Sequence, residues 1–148
     1  MDKNMTLEKR IAAELYCYQG KMSVFVDDLQ GHTVEVGADA IECDVYLSSD
    51  GYVMINHDDT TGRLMNKDLN VSSSTKAELQ ALTFTVGTAQ EGDKMPTLEE
   101  LFAAADAADP DDDIIHVIEI KSSAPELIDP LIQVIKDCGM EDRVVFIS

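Results

Sequence analysis

The sequence has no tryptophan, and aromatic residues make up only 5% of it. Large aliphatic residues and methionine must therefore do the packing. Basic residues are also scarce. Lys and Arg number 11 against 29 Asp and Glu, for a formal net charge of −18. A surface of that sign repels nucleic acid and anionic membranes, and it attracts divalent cations. No segment approaches the run of about 18 apolar residues that crosses a bilayer, and the N-terminus has no apolar signal core. This predicts a soluble, cytoplasmic protein without a transmembrane segment. The three cysteines, Cys17, Cys43 and Cys138, are far apart and match no metal or redox spacing. Cys43 and Cys138, in a predicted strand and at a helix end, read as buried free thiols, which fits a reducing compartment. What remains is ordinary: 148 residues, 45% hydrophobic and 27% charged, enough for one domain with a sizeable core.

Helix and strand signals alternate along the chain. Met5 to Cys17 reads as a helix, with Leu7, Ile11 and Leu15 four apart and Gly20 as its stop. Val24 to Val36 reads as a second helix. Ala40 to Leu47 is a strand, Ser49-Asp50-Gly51 a turn, and Tyr52 or Val53 to Asn56 a further strand. After a polar excursion, Thr75 and Glu78 have capping-box spacing, as do Thr97 and Glu100 ahead of a helix reaching about Ala108. Ile114 to Lys121 is the clearest strand. The next helix opens either at Ser123, with Glu126 closing a capping box, or at Pro130 after an Asp129 cap, and it ends at Gly139. Arg143 to Ser148 is a last strand. Apolar runs between helices predict a parallel sheet buried on both faces. The chain is well short of the ~250 residues of a full (β/α)₈ barrel. It would supply about half the strands and leave an open edge through which the chain is expected to self-associate.

Three carboxylates stand out. Glu42 and Asp44 are two apart in a strand and share a face. Glu119 sits in the almost wholly apolar Ile118-Glu119-Ile120 run. Buried acids must be protonated, paired with a basic side chain or bound to a metal. All-oxygen ligands suit Mg²⁺ or Ca²⁺ rather than Zn²⁺. Lys121 shares the face of Glu119, as a salt-bridge partner or as a point charge for phosphate. His57 follows a strand and opens His57-Asp58-Asp59, which suits a catalytic base. His116 is an odd number of residues from Glu119 and points toward the helices as a structural histidine. His32 reads as exposed.

Gly37-Ala38-Asp39-Ala40-Ile41-Glu42-Cys43-Asp44-Val45, Ser49-Asp50-Gly51, and His57-Asp58 followed by Arg63 resemble the glycerophosphodiester phosphodiesterase family. So do Thr75 to Leu82, Met95-Pro96-Thr97-Leu98-Glu99-Glu100, Ile118-Glu119-Ile120-Lys121 and Val144 to Ser148. The matches keep their order from about Gly37 to the end. The resemblance implies an α/β fold: roughly the first half of a TIM (β/α) barrel, occupying residues 1–148, with a small insertion at 58–94 after the His57-bearing strand. It also implies metal-dependent hydrolysis of a small-molecule glycerophosphodiester to glycerol phosphate and an alcohol, a reaction of lipid metabolism. Glu42, Asp44 and Glu119 would hold a divalent metal, Mg or Ca. His57 would be one of two acid/base histidines, and Lys121 would sit near the phosphate.

One part of the family pattern is not in this sequence. The first-strand His-Arg-Gly motif, which carries the other histidine and a phosphate-binding arginine, does not occur. Tyr18-Gln19-Gly20 stands at about that distance before Glu42. Tyr and Gln cannot replace an imidazole base and a bidentate guanidinium. One competing reading is therefore a catalytically inactive metal- or diester-binding relic; another, left open because loops set substrate choice, is a related barrel phosphodiesterase acting on phosphoinositides or sphingolipids.

Overall fold

The computed structural model describes residues 40–85, 92–108, 114–121 and 124–147. The helices expected over Met5 to Cys17 and Val24 to Val36 lie outside the described residues, as do Tyr18, Gln19, Gly20 and His32. The described chain folds in the order β1 (Ala40–Leu47), β2 (Val53–Ile55), α1 (Lys76–Gln80), α2 (Leu98–Ala108), β3 (Ile115–Ile120), α3 (Ile128–Asp137) and β4 (Val144–Ile147). Four strands make one unclosed sheet in the order β2-β1-β3-β4.

The sheet is mixed, which corrects the all-parallel expectation. β3 runs parallel to β1 and β4 parallel to β3, but β2 returns antiparallel to β1, with Val45 opposite Ile55 and Leu47 opposite Val53. The cause is the short connection, since parallel pairing needs a crossover of a dozen or more residues. The turn is tied locally. Ser48 N–H donates to Tyr52 C=O (2.9 Å), Ser48 Oγ donates to Asp50 Oδ1 (2.8 Å), and Gly51 adopts φ +88°. That φ suits glycine because it has no Cβ to clash.

Among the described residues, the main core lies on one face of the sheet. Ile41, Cys43 and Val45 of β1 and Ile118 of β3 pack with Leu98, Leu101, Phe102 and Ala105 of α2 and with Leu131, Val134 and Ile135 of α3. The α2 residues recur at the spacing of one helical face. Helix α2 begins where its capping box predicts: Thr97 N–H donates to Glu100 Oε2 (2.8 Å), and Glu100 N–H donates to Thr97 Oγ1 (3.3 Å). Buried His116 meets Phe102 edge-on at 4.8 Å between ring centroids, the structural role expected of it. Phe102 fixes α2 on the sheet, so Phe102→Ala is expected to destabilise the chain by about 3–5 kcal/mol in urea unfolding, with the cavity left between α2 and His116 adding to the lost burial.

The excursion after β2 builds a second, smaller core from Met54, Met65, Val71, Leu79, Leu82, Phe84 and Met95. Loop hydrogen bonds close it: Met65 N–H donates to Thr61 C=O and Val71 N–H to Asp59 C=O. Helix α1 carries the predicted Thr75–Glu78 capping box. Asn56, expected to end the strand, lies outside it. Its side-chain amide instead donates to the carbonyls of Asp58 (2.7 Å) and Thr60 (3.2 Å), which shapes the loop that follows.

Helix α3 opens in neither expected way. A 3₁₀ turn, Pro125–Leu127, leads into it, and Pro130 falls in the first turn. Proline costs little there because the first N–H groups have no intrahelical partner. The helix closes on Gly139 (φ +69°) as expected, with Met140 N–H donating to Ile135 C=O and Gly139 N–H to Lys136 C=O. Cys43 is a buried free thiol, whereas Cys138 is only half-buried. Cys17 lies outside the described residues. At the sheet edge, Val145, Phe146 and Ile147 are exposed.

Candidate functional site

Because Ile41, Cys43 and Val45 enter the helix-covered core, Glu42, Asp44 and Tyr46 share the opposite face of β1. The parallel register sets Glu119 directly beside Asp44. One carboxylate oxygen from each of Glu42, Asp44 and Glu119 then lies within 4.8 Å of the others. Asp44 has no exposed surface, while Glu42 and Glu119 are half-buried. Lys121 follows on the same face, with Nζ 2.9 Å from Asp44 Oδ1 and 2.8 Å from Glu119 Oε1. The Asp44 contact is an ion pair of poor hydrogen-bond geometry. Among the described residues, neither Asp44 oxygen accepts a well-formed hydrogen bond.

The electrostatics follow from that crowding. Burial pushes Glu42 up to about 7, and the charges of Asp44 and Glu119 add to the effect. Burial raises Asp44 to about 6, with Lys121 pulling the other way. Glu119 is held below the usual carboxylate range by its hydrogen bond to Lys121. Burial opposes the Lys121 ammonium, yet its close contacts with the Glu119 and Asp44 carboxylates outweigh this and raise it. Acids that resist ionising near neutrality mark a site short of positive charge.

A pH dependence of stability follows. The folded chain holds protons on Glu42 and Asp44 that the unfolded chain has already lost, from about pH 4 to about pH 7. Stability therefore falls as pH rises through that window. In chelator, the chain is expected to be about 1–3 kcal/mol less stable at roughly pH 7.5 than at roughly pH 5, after allowance for solvent screening of the half-exposed Glu42. Urea unfolding at the two pH values measures this. A flat profile would mean that these acids are as well solvated folded as unfolded.

His57 arrives from the other side. Asn56 N–H donates to Asp44 C=O (3.2 Å), which brings the next residue to the level of Asp44. A positive charge on His57 is close enough to favour the ionised forms of both Asp44 and Glu119. His57 Nδ1 lies 2.7 Å from Asp58 Oδ1, and Arg63 Nε donates to Asp58 Oδ2 at 2.5 Å. With Nδ1 facing Asp58, Nε2 is the ring nitrogen left for a substrate. The Arg63 bond holds the Asp58 carboxyl down at about 2, so this anion persists across the useful pH range.

The fold thus gathers Glu42, Asp44, Glu119 and Lys121 on one face, with His57 close enough to act on Asp44 and Glu119 electrostatically. It adds three that the expected site did not include: Asp58, Arg63 and Tyr46. Asp58 and Arg63 lie five apart in an irregular loop, where no periodicity advertises a pair. Tyr46, whose hydroxyl donates to His57 C=O at 3.5 Å, was open to detection as the next residue on the Glu42–Asp44 face.

The sequence pattern of the glycerophosphoryl diester phosphodiesterase family matches residues 31–145. The chain belongs to that family. A glycerophosphodiester phosphodiesterase of Caldanaerobacter subterraneus is 36% identical over 120 residues, which is 78% of this chain and 48% of the relative. An Oleispira antarctica phosphodiesterase, solved with the product sn-glycerol-3-phosphate, superimposes with a TM-score of 0.69 at 25% identity over 79% of this chain and 48% of its own. The Thermotoga maritima glycerophosphodiester phosphodiesterase gives 0.60 at 32% identity over 79% of this chain and 44% of its own. The chain spans about half the length of the relatives it matches. Its unclosed sheet corresponds to part of the glycerophosphodiester phosphodiesterase TIM barrel. Among the described residues, no helix is long and apolar enough to cross a membrane.

Proposed function

We propose that this chain contributes the carboxylate half of a metal-dependent glycerophosphodiester phosphodiesterase site. The observation that carries the reading is the meeting of Glu42, Asp44 and Glu119 on one sheet face, around a fully buried aspartate whose oxygens lack well-formed hydrogen bonds. Three carboxylates form an all-oxygen donor set that fits a hard divalent cation, Mg²⁺ or Ca²⁺. When bound, such an ion would offset charge that develops on phosphoryl oxygens. His57 Nε2 would take or give the proton at the reacting oxygen, with Asp58 and Arg63 fixing its ring. Lys121 would meet the phosphate as a point charge. Residues 58–94 are read as the small insertion that follows the His57-bearing strand.

A second reading is favoured by the sequence itself: without a His-Arg-Gly motif, the chain binds metal or diester and turns over little or nothing. The test is release of glycerol phosphate from glycerophosphocholine with Mg²⁺ or Ca²⁺, with and without chelator. Chelator-sensitive hydrolysis supports the enzyme. Saturable metal uptake without hydrolysis supports the relic, and neither would sink both.

A further inference from the structure

Lys121 does more than stand near the acids. Its ammonium is within 2.9 Å of Asp44 and 2.8 Å of Glu119, two of the three carboxylates that would take a metal. Its side chain is only 22% exposed, so solvent screens it poorly. A divalent cation drawing on the same oxygens meets a like charge at close range. One ammonium against three carboxylates still leaves an excess of negative charge, so the site attracts the cation while its own lysine opposes it.

We propose that Lys121 is the built-in counter-ion of the acidic cluster, and that a divalent cation enters by displacing its ammonium from Asp44 and Glu119. The inference rests on the metal reading given above. Lys121 then sets metal affinity, holding it below what the three carboxylates alone would give. It also couples the ion to the lysine: the displaced ammonium loses its carboxylate partners and turns outward. The remaining positive groups nearby do not substitute for it. His57 and Arg63 are both paired with Asp58, and among the described residues no other lysine or arginine forms an ion pair with Glu42, Asp44 or Glu119.

Calorimetric titration of the full chain with Ca²⁺ and Mg²⁺ tests this, comparing wild type, Lys121→Met and Lys121→Arg. Lys121→Met should bind at least about tenfold more tightly, because a like charge at this range is removed. Lys121→Arg keeps the charge and should stay near wild type. Lys121→Met should also melt lower than wild type in chelator and gain more from added ion, since its carboxylates have lost their partner. Equal or weaker binding by Lys121→Met would overturn the proposal.

A measurement on the wild type covers the case of a variant that fails to fold. Acetic anhydride labelling at Lys121, read by peptide mass spectrometry against exposed Lys136, should rise several-fold on adding Ca²⁺ as the ammonium is released. Unchanged or reduced labelling contradicts displacement. Wild type that takes up neither ion removes the metal reading as well, whereas uptake without these Lys121 effects removes this inference alone.

Discussion

Replacing Asp44 with asparagine is expected to weaken Mg²⁺ and Ca²⁺ binding by at least about 10²-fold, a larger loss than removal of a supporting residue around a ligand typically causes. Asp44 is the only one of the three acids with no exposed surface, and it sits between Glu42 on its own strand and Glu119 beside it. An amide keeps the volume and removes the charge. The thermal stabilisation by added ion should vanish too, because an ion at 100 times its dissociation constant supplies about 2.7 kcal/mol only while it binds the folded state. In chelator the substitution should do little harm, since it removes a buried charge while Lys121 keeps Glu119. Calorimetry and melting curves together separate the alternatives. Unaltered metal affinity with a steep loss of stability would make Asp44 a structural partner of Lys121 and nothing more.

Turnover of glycerophosphocholine by this chain should be a trace at most. A well-placed acid or base is typically worth about 10² to 10⁴ in rate, and loss of a phosphate-holding arginine lowers the rate further. No His-Arg-Gly supplies these groups in the sequence. His57, braced by Asp58 and Arg63, is the group left to move a proton at the site described. Whatever turnover exists should therefore fall to background with chelator and, separately, with His57→Ala. Brisk hydrolysis removed by both changes would show that the second histidine is dispensable, or that Tyr18, His32 or a second copy of the chain takes its part.

The sequence announced what depends on alternation and capping. The i, i+2 spacing of Glu42 and Asp44 gave their common face, and the odd spacing of His116 from Glu119 turned it into the core against Phe102. Thr75–Glu78 and Thr97–Glu100 marked two helix starts because the capping box is a purely local signal. Other features rest on relations between segments. The antiparallel return of β2 follows from the short Ser49-Asp50-Gly51 turn, which is legible in the sequence, but the apolar pattern that predicts a parallel sheet carries no strand direction. The opening of α3 through Pro125–Leu127 overrode two plausible caps. The Asp58–Arg63 brace depends on loop geometry that Asn56 sets through two carbonyls. The strength of the Lys121 contacts required the parallel register that puts Asp44 beside Glu119.

That register has a consequence for how the chain finds its fold. Side chains on a strand change face at every residue, so a slip of one position between β1 and β3 reverses what each presents. Slid by one, the pairing of Asp44 with Glu119 is lost. If the slipped strand also turned over to suit it, Glu42 and Asp44 would be pressed into the layer held by Leu101, Phe102 and Leu131. An unpaired carboxylate in that layer is far more costly than a lost methyl contact. The acids therefore proofread strand alignment, rejecting misaligned pairings that hydrophobic collapse alone would tolerate. This restraint slackens in acid, where protonated carboxyls are cheaper to bury, so errors of pairing should accumulate at low pH.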